Sequence, residues 1–65
     1  MREFNTTIIA SSRTRLGLTQ QQLAEKLGVT RTTVTMWETG ANTPPTKILP
    51  KLAEVLQITI DQLFT

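Results

Sequence analysis

Leu23, Ala24 and Leu27 recur at the spacing of one helical face, with polar residues filling the positions around them. The segment opens with Thr19 and Gln22, a Thr-x-x-Gln capping box in which each side chain satisfies a free backbone N–H of the first turn. Gly28 stands where a helix closes through a residue of positive φ. Val29 returns the chain to the core, and Thr30 is a fresh N-cap for a second helix that runs to Gly40. Residues 19–40 therefore predict two short helices around one tight turn, with Ala24 small where the second helix must come close.

The flanks read the same way. Asn5 or Thr6 caps a first helix running to about Leu16, with Ile9 and Leu16 facing inward and Gly17 ending it. Ala41-Asn42-Thr43-Pro44-Pro45 is a loop, because its prolines cannot continue a helix. A fourth helix is expected from about Thr46 to Leu56, with Ile48, Leu49, Leu52, Ala53, Val55 and Leu56 as its apolar face. Pro50 falls near its first turn, where a missing N–H costs least, so a local distortion is expected there. Thr59 and Gln62 repeat the Thr-x-x-Gln box and start a last short helix containing Leu63 and Phe64. The expectation is an all-α, compact five-helix domain spanning residues 1–65, with no room for a sheet. One segment argues against its neighbours: Thr32-Thr33-Val34-Thr35 is β-branched and favours a strand on propensity alone. The glycine boundaries and the Thr30 cap outweigh it, so packing rather than propensity must hold this helix.

Sixty-five residues make one domain at most. A chain this small buries only about 60% of its unfolded surface, which leaves a marginal core. It has no cysteine for a disulfide or thiolate site and no histidine for zinc or imidazole chemistry, so no metal and no cofactor are expected. No apolar run approaches a membrane span, and Met1-Arg2-Glu3-Phe4-Asn5 is not a signal peptide. A soluble, cytoplasmic protein fits. The net charge of +2 permits a polyanionic partner without demanding one.

A helix, a short glycine-containing turn and a second helix is the DNA-binding helix-turn-helix pattern. The sequence resembles the phage repressor and Cro (Xre-like) family through Gly17-Leu18-Thr19-Gln20, Leu23-Ala24-x-x-Leu27-Gly28-Val29, Trp37-Glu38-x-Gly40 and Leu52-Ala53-x-x-Leu56. Each piece is weak alone, and all four in this order make a specific signal from about Ile9 to Phe64. Leu49-Pro50-x-Leu52-Ala53 also resembles lambdoid repressor domains, which tolerate proline there. The resemblance implies a lambda-repressor-like fold, binding to double-stranded DNA and regulation of transcription.

Projected at 100° per residue, the second helix of the motif places Thr30, Val34, Trp37 and Glu38 inward. Thr32, Met36 and Thr39 lie opposite, with Arg31 and Thr35 beside them. Arg31 can pair bidentately with guanine, Thr32 and Thr35 can donate, accept or pack a methyl, and Met36 can meet a thymine methyl. These four are the candidate base-reading residues; the plainer alternative is an ordinary solvated face. Gln20 occupies the first turn of its helix, where the resemblance implies a contact to the DNA backbone and the helix dipole suits a phosphate. Thr30, Thr39, Asn42 and Lys47 are further backbone-contact candidates, whereas Lys26 and Lys51 read as solvated charges. The resemblance also implies a partly buried ion pair between Arg13 and Glu38; Arg15, two residues on, points elsewhere and is expected to face phosphate or solvent. Two departures thin the electrostatic support: Ser11 and Ser12 stand where relatives carry a basic, leucine-containing segment, and Arg31 is the one charge on the outer face.

The expected function is sequence-specific transcription regulation, with repression by promoter occupancy ahead of activation from an adjacent site. A small protein-interaction module of antitoxin or adaptor type is the rival from another class. No nucleophile–base pair, metal set or phosphate loop suggests an enzyme. A homodimer at least on DNA, reading a pseudo-palindromic operator, is expected through Ile58, Ile60, Leu63 and Phe64. The competing reading has Leu63 and Phe64 closing the monomer core.

Overall fold

The computed structural model describes residues 3–65. Three of its helices start on a side chain that replaces a missing backbone partner. Helix α1 (Thr6–Arg15) begins at Asn5, whose Oδ1 accepts from the Thr7 N–H at 3.2 Å. Helix α2 (Gln20–Leu27) carries the full capping box: the Gln22 N–H donates to Thr19 Oγ1 at 3.0 Å and the Thr19 N–H to Gln22 Oε1 at 2.8 Å. Helix α3 (Arg31–Thr39) is capped by Thr30, whose Oγ1 accepts from the Thr33 N–H at 3.2 Å. Helix α4 (Leu49–Leu56) has no side-chain cap and continues instead from a 3₁₀ turn at Thr46–Ile48.

The closing turns are equally regular. After α2, Gly28 takes φ of 72°, and the Val29 N–H reaches back to the Ala24 carbonyl at 3.0 Å. That six-to-one bond fixes the angle at which the chain leaves α2 and enters α3. After α4, the Ile58 N–H makes the same bond to the Ala53 carbonyl at 3.0 Å, but the left-handed position is Gln57, at φ of 58°.

The core collects one stripe from each helix. Ile9, Leu23, Val34, Leu52, Leu56 and Leu63 are fully buried, with Ala24 between α2 and α3 and Trp37 closing the side toward α4's entry. Ser12 on α1 is buried among them, so one of the two serines read as a missing basic position is in fact a packing residue. No helix among the described residues is long and apolar enough to cross a membrane.

Two of the five expected helices are corrected. The described residues form four α-helices; the helix expected from Thr59 is a single 3₁₀ turn at Asp61–Leu63. Its Thr59–Gln62 box is present, the Thr59 N–H donating to Gln62 Oε1 at 2.8 Å. The chain then becomes extended, because Phe64 pairs antiparallel with Phe4. The Asn5 N–H donates to the Leu63 carbonyl at 2.7 Å and the Thr65 N–H to the Glu3 carbonyl at 2.8 Å. The Phe4 and Phe64 rings meet edge to face, 5.9 Å between centroids. The fourth helix starts at Leu49 rather than Thr46, and Pro50 supplies the reason. Proline has no N–H for the Thr46 carbonyl four residues back, and the Leu49 N–H takes that carbonyl in a 3₁₀ bond instead.

Gln57 holds the left-handed conformation at a cost that glycine avoids. Gln57→Gly is expected to raise stability by up to about 1 kcal/mol, since relief of the native strain exceeds the added freedom of the unfolded chain. Thermal denaturation beside the parent protein checks this; a lowered melting temperature would show that the Gln57 side chain contributes more than its backbone costs.

Candidate nucleic-acid interface

Helix α3 divides cleanly into faces. Val34 and Trp37 are buried against α2 and the rest of the core, Arg31, Thr32 and Thr39 are exposed, and Thr33, Thr35 and Met36 lie between. Thr30, grouped with the inward residues by helical projection, is exposed. Its backbone is extended as an N-cap, so the helical angle does not apply to it. Its hydroxyl is occupied within the fold by the Thr33 N–H and lies 2.9 Å from the Thr33 hydroxyl.

Glu38 anchors the inner edge. Arg13 donates from Nε to Glu38 Oε2 at 2.7 Å and from Nη2 to Glu38 Oε1 at 3.2 Å, a two-point grip between α1 and α3. The third nitrogen of Arg13 donates to the Leu18 carbonyl at 2.8 Å and ties down the turn into α2. The side chains are 17% and 8% exposed, which puts the pair in the partly buried regime where losing one partner is costly. Burial alone raises the Glu38 carboxyl. Hydrogen bonds from Arg13 and Gln20, together with the Arg13 charge, overcome that and hold it below its ordinary value.

Gln20 carries an additional function that the sequence did not reveal. Its Nε2 donates to Glu38 Oε1 at 2.9 Å, while its Oε1 lies 3.1 Å from the Thr35 hydroxyl and 3.5 Å from Arg31 Nε. The Thr35 hydroxyl has a second acceptor, the Arg31 carbonyl, also at 3.1 Å, so one hydrogen serves either bond. One amide thus connects the Arg13–Glu38 pair to two candidate base-reading residues. No periodicity in the chain announces this, because it arises only where α2 and α3 cross. Gln20 and Arg31 also border a shallow hollow with Arg13, Thr19 and Gln21, two guanidinium groups beside the first turn of α2.

The far end of α3 gathers the remaining candidates. The Asn42 amide donates to Met36 Sδ at 3.3 Å, its backbone N–H donates to the Met36 carbonyl at 3.2 Å, and the Thr39 hydroxyl donates to the same carbonyl at 3.3 Å. Lys47, exposed on the 3₁₀ turn before α4, borders a groove shared with Met36 and Asn42. Arg15 is exposed to solvent, as expected, and its guanidinium also donates to the Leu56 carbonyl at 3.4 Å, at the end of α4. That is a C-terminal capping contact of the kind a helix dipole favours.

The proposed dimer patch shrinks. Leu63 is fully buried, because the terminal pairing pulls it into the monomer core, and its side chain is not available to a partner. Phe64 is half-buried against Phe4, and Ile58 is half-buried, leaving Ile60 at 44% as the exposed large apolar residue of that segment.

With this geometry in hand, comparison with known proteins gives the class. The helix-turn-helix family profile matches residues 9–63, and the chain belongs to that family, in its phage-repressor (Xre-like) form. It is 40% identical over 63 residues to the HTH-type transcriptional activator BcrR of Enterococcus faecalis, covering 97% of this chain and 30% of BcrR. An uncharacterized HTH-type transcriptional regulator of Archaeoglobus fulgidus is 38% identical over 58 residues, covering 89% of this chain and 83% of that protein. Among solved structures, the P22 c2 repressor in complex with a synthetic operator superposes with a TM-score of 0.87 at 26% identity, over 94% of this chain and 92% of that one.

Glu38 provides the stability test of this architecture. Glu38→Gln is expected to lower stability by about 3 kcal/mol near neutral pH, the lower end for breaking a buried pair. The folded-state pKa is depressed, so the contribution is complete above the unfolded value, close to the ordinary 4.5, and fades as pH falls through the folded value. Denaturant melts of parent and variant should therefore differ most at neutral pH and by less in acid. A gap independent of pH would mean that packing, not charge, makes the difference.

Proposed function

We propose that this protein is a transcription regulator that binds double-stranded DNA by laying α3 in the major groove. The observation that carries the reading is the Gln20 junction. It holds the Arg31–Thr35 edge of α3 at a fixed place relative to the first turn of α2, one element suited to base edges and the other to phosphate. Arg31, Thr32, Thr35 and Met36 are assigned to bases, and Gln20, Thr30, Thr39, Asn42 and Lys47 to the DNA backbone. Repression by occupancy of an overlapping promoter needs nothing beyond this face, and the operator-bound P22 c2 repressor shares the fold. Activation is the second reading, favoured by the identity to BcrR, an activator by name. The cytoplasm is the location that such a ligand implies.

We assign two chains to each site. One face with a single arginine and several threonines discriminates weakly, and a two-fold pair doubles what is read. Ile60, with the half-buried Ile58 and Phe64 beside it, supplies the apolar surface, too small for a stable dimer in free solution.

Selection of bound sequences from a random duplex pool, followed by titration at several salt concentrations, tests these points. Log affinity should fall steeply with log salt, by about 0.9 for each phosphate neutralised. Arg31→Ala is expected to relax one base position per half-site and cost about 1–3 kcal/mol, whereas equal weakening on every duplex would reassign Arg31 to phosphate. The selected sites should show two-fold symmetry and take two protein chains. One chain per site, or an asymmetric site, would remove the dimer.

A further inference from the structure

A groove of about 590 Å³ lies along the flank of α3 and does not include Arg31 or Thr32. Leu27, Val29, Met36 and Ile48 form its floor, with an edge of Trp37. Leu27, Val29 and Ile48 pack on the core yet stay half-buried, so three different segments leave apolar surface open at one place. The open apolar surface is small, enough to seat one or two side chains rather than a broad interface. The charge pattern is one-sided. Lys47 and Lys51 stand on the wall from the start of α4, and no carboxylate lines the groove. Lys51 lies 3.7 Å from Glu54, but both are well exposed, and such a pair is too weak to spend its charge.

Duplex DNA does not satisfy this surface. Phosphates could meet the lysines at the rim, but they would leave the apolar floor wet. The complementary chemistry is a large apolar side chain with carboxylates beside it, as an amphipathic helix lays into an apolar groove. We propose that the groove docks a short acidic amphipathic segment of a partner protein, its apolar residues on the Leu27–Val29–Ile48 floor and its carboxylates on Lys47 and Lys51. Met36, Asn42 and Lys47 belong to both this groove and the assigned DNA face, so segment and duplex exclude one another. That exclusion rests on the DNA-binding reading above; the docking itself does not. The partner acts as a release factor for the DNA-bound protein.

The test selects displayed random peptides lacking tryptophan against the full chain. Enriched sequences should pair a large apolar residue with Asp or Glu. They should change the emission of Trp37, the chain's one tryptophan, and shift the methyl resonances of Leu27, Val29, Met36 and Ile48. Lys51→Glu should weaken the best peptide about tenfold, as reversal of a charge contact at a binding rim does. No enrichment, enrichment of neutral or basic peptides, shifts confined to another surface, or an unchanged affinity in Lys51→Glu would each overturn the proposal. Shifts of the same methyls with protein concentration alone would assign the groove to a second copy and also overturn it. In competition, the peptide should displace the selected duplex, and simultaneous binding of both would refute the exclusion. If the protein holds no duplex at all, the DNA reading fails while peptide docking stands on its own result.

Discussion

The Glu38 carboxylate sits on α3 and receives Arg13 from α1 and Gln20 from α2, so a single charged group fixes the mutual angle of three helices. Its geometry matters more than its net energy. A buried ion pair gives back much of its attraction in lost hydration, and an apolar replacement of the right volume can be equally stable. Apolar groups, however, pack in several rotations, whereas a guanidinium gripping both carboxylate oxygens allows one. The β-branched stretch Thr32–Thr35 needs such outside control, since its own preference is not helical. The Thr30 cap, the Val34 and Trp37 packing and the Glu38 tether together impose the helix that the local sequence resists.

The tether reaches the outer face through Gln20. Because its amide oxygen lies near both the Thr35 hydroxyl and the Arg31 guanidinium, the positions of these outer side chains are coupled to the inner ion pair. A contact made at Gln20 from outside must therefore compete with, or reorganise, bonds that hold α3. The residues proposed for backbone docking and for base reading are joined in one small polar cluster rather than standing independently.

Much of this was legible in the chain. Capping boxes and helix-closing glycines are local chemistry, so the ends of α1, α2 and α3 fall within a residue or so of expectation. Where the reading failed, a distant partner intervened. The last segment carries a valid helix start at Thr59, but backbone pairing with Phe4 and Asn5, more than fifty residues away in sequence, draws it into extended form. Burial of Leu63 follows from that pairing and removed it from the proposed partner surface. Pro50 displaced the start of α4 as its missing N–H required, although the 3₁₀ turn that absorbed it needed the structure to be seen. In the candidate site, residue types and faces were readable from helical geometry. The Gln20 cluster was not, because it depends on how two helices cross.

The division of α3 into an anchored face and a bare one has a consequence for how such a domain diversifies. Val34, Trp37 and Glu38 hold the helix in place, and none of them belongs to the outward set of Arg31, Thr32 and Met36. Changes at those outward positions disturb few core contacts, and surface substitutions generally alter stability by less than about 0.5 kcal/mol. Mutational drift can therefore change the chemistry of this edge while the scaffold stays folded. Arg31 and Thr35 are the exceptions on that edge, since both reach the Gln20 amide oxygen. Lineages that alter either must adjust Gln20 in the same step, so these three positions should vary together whereas Thr32 varies alone.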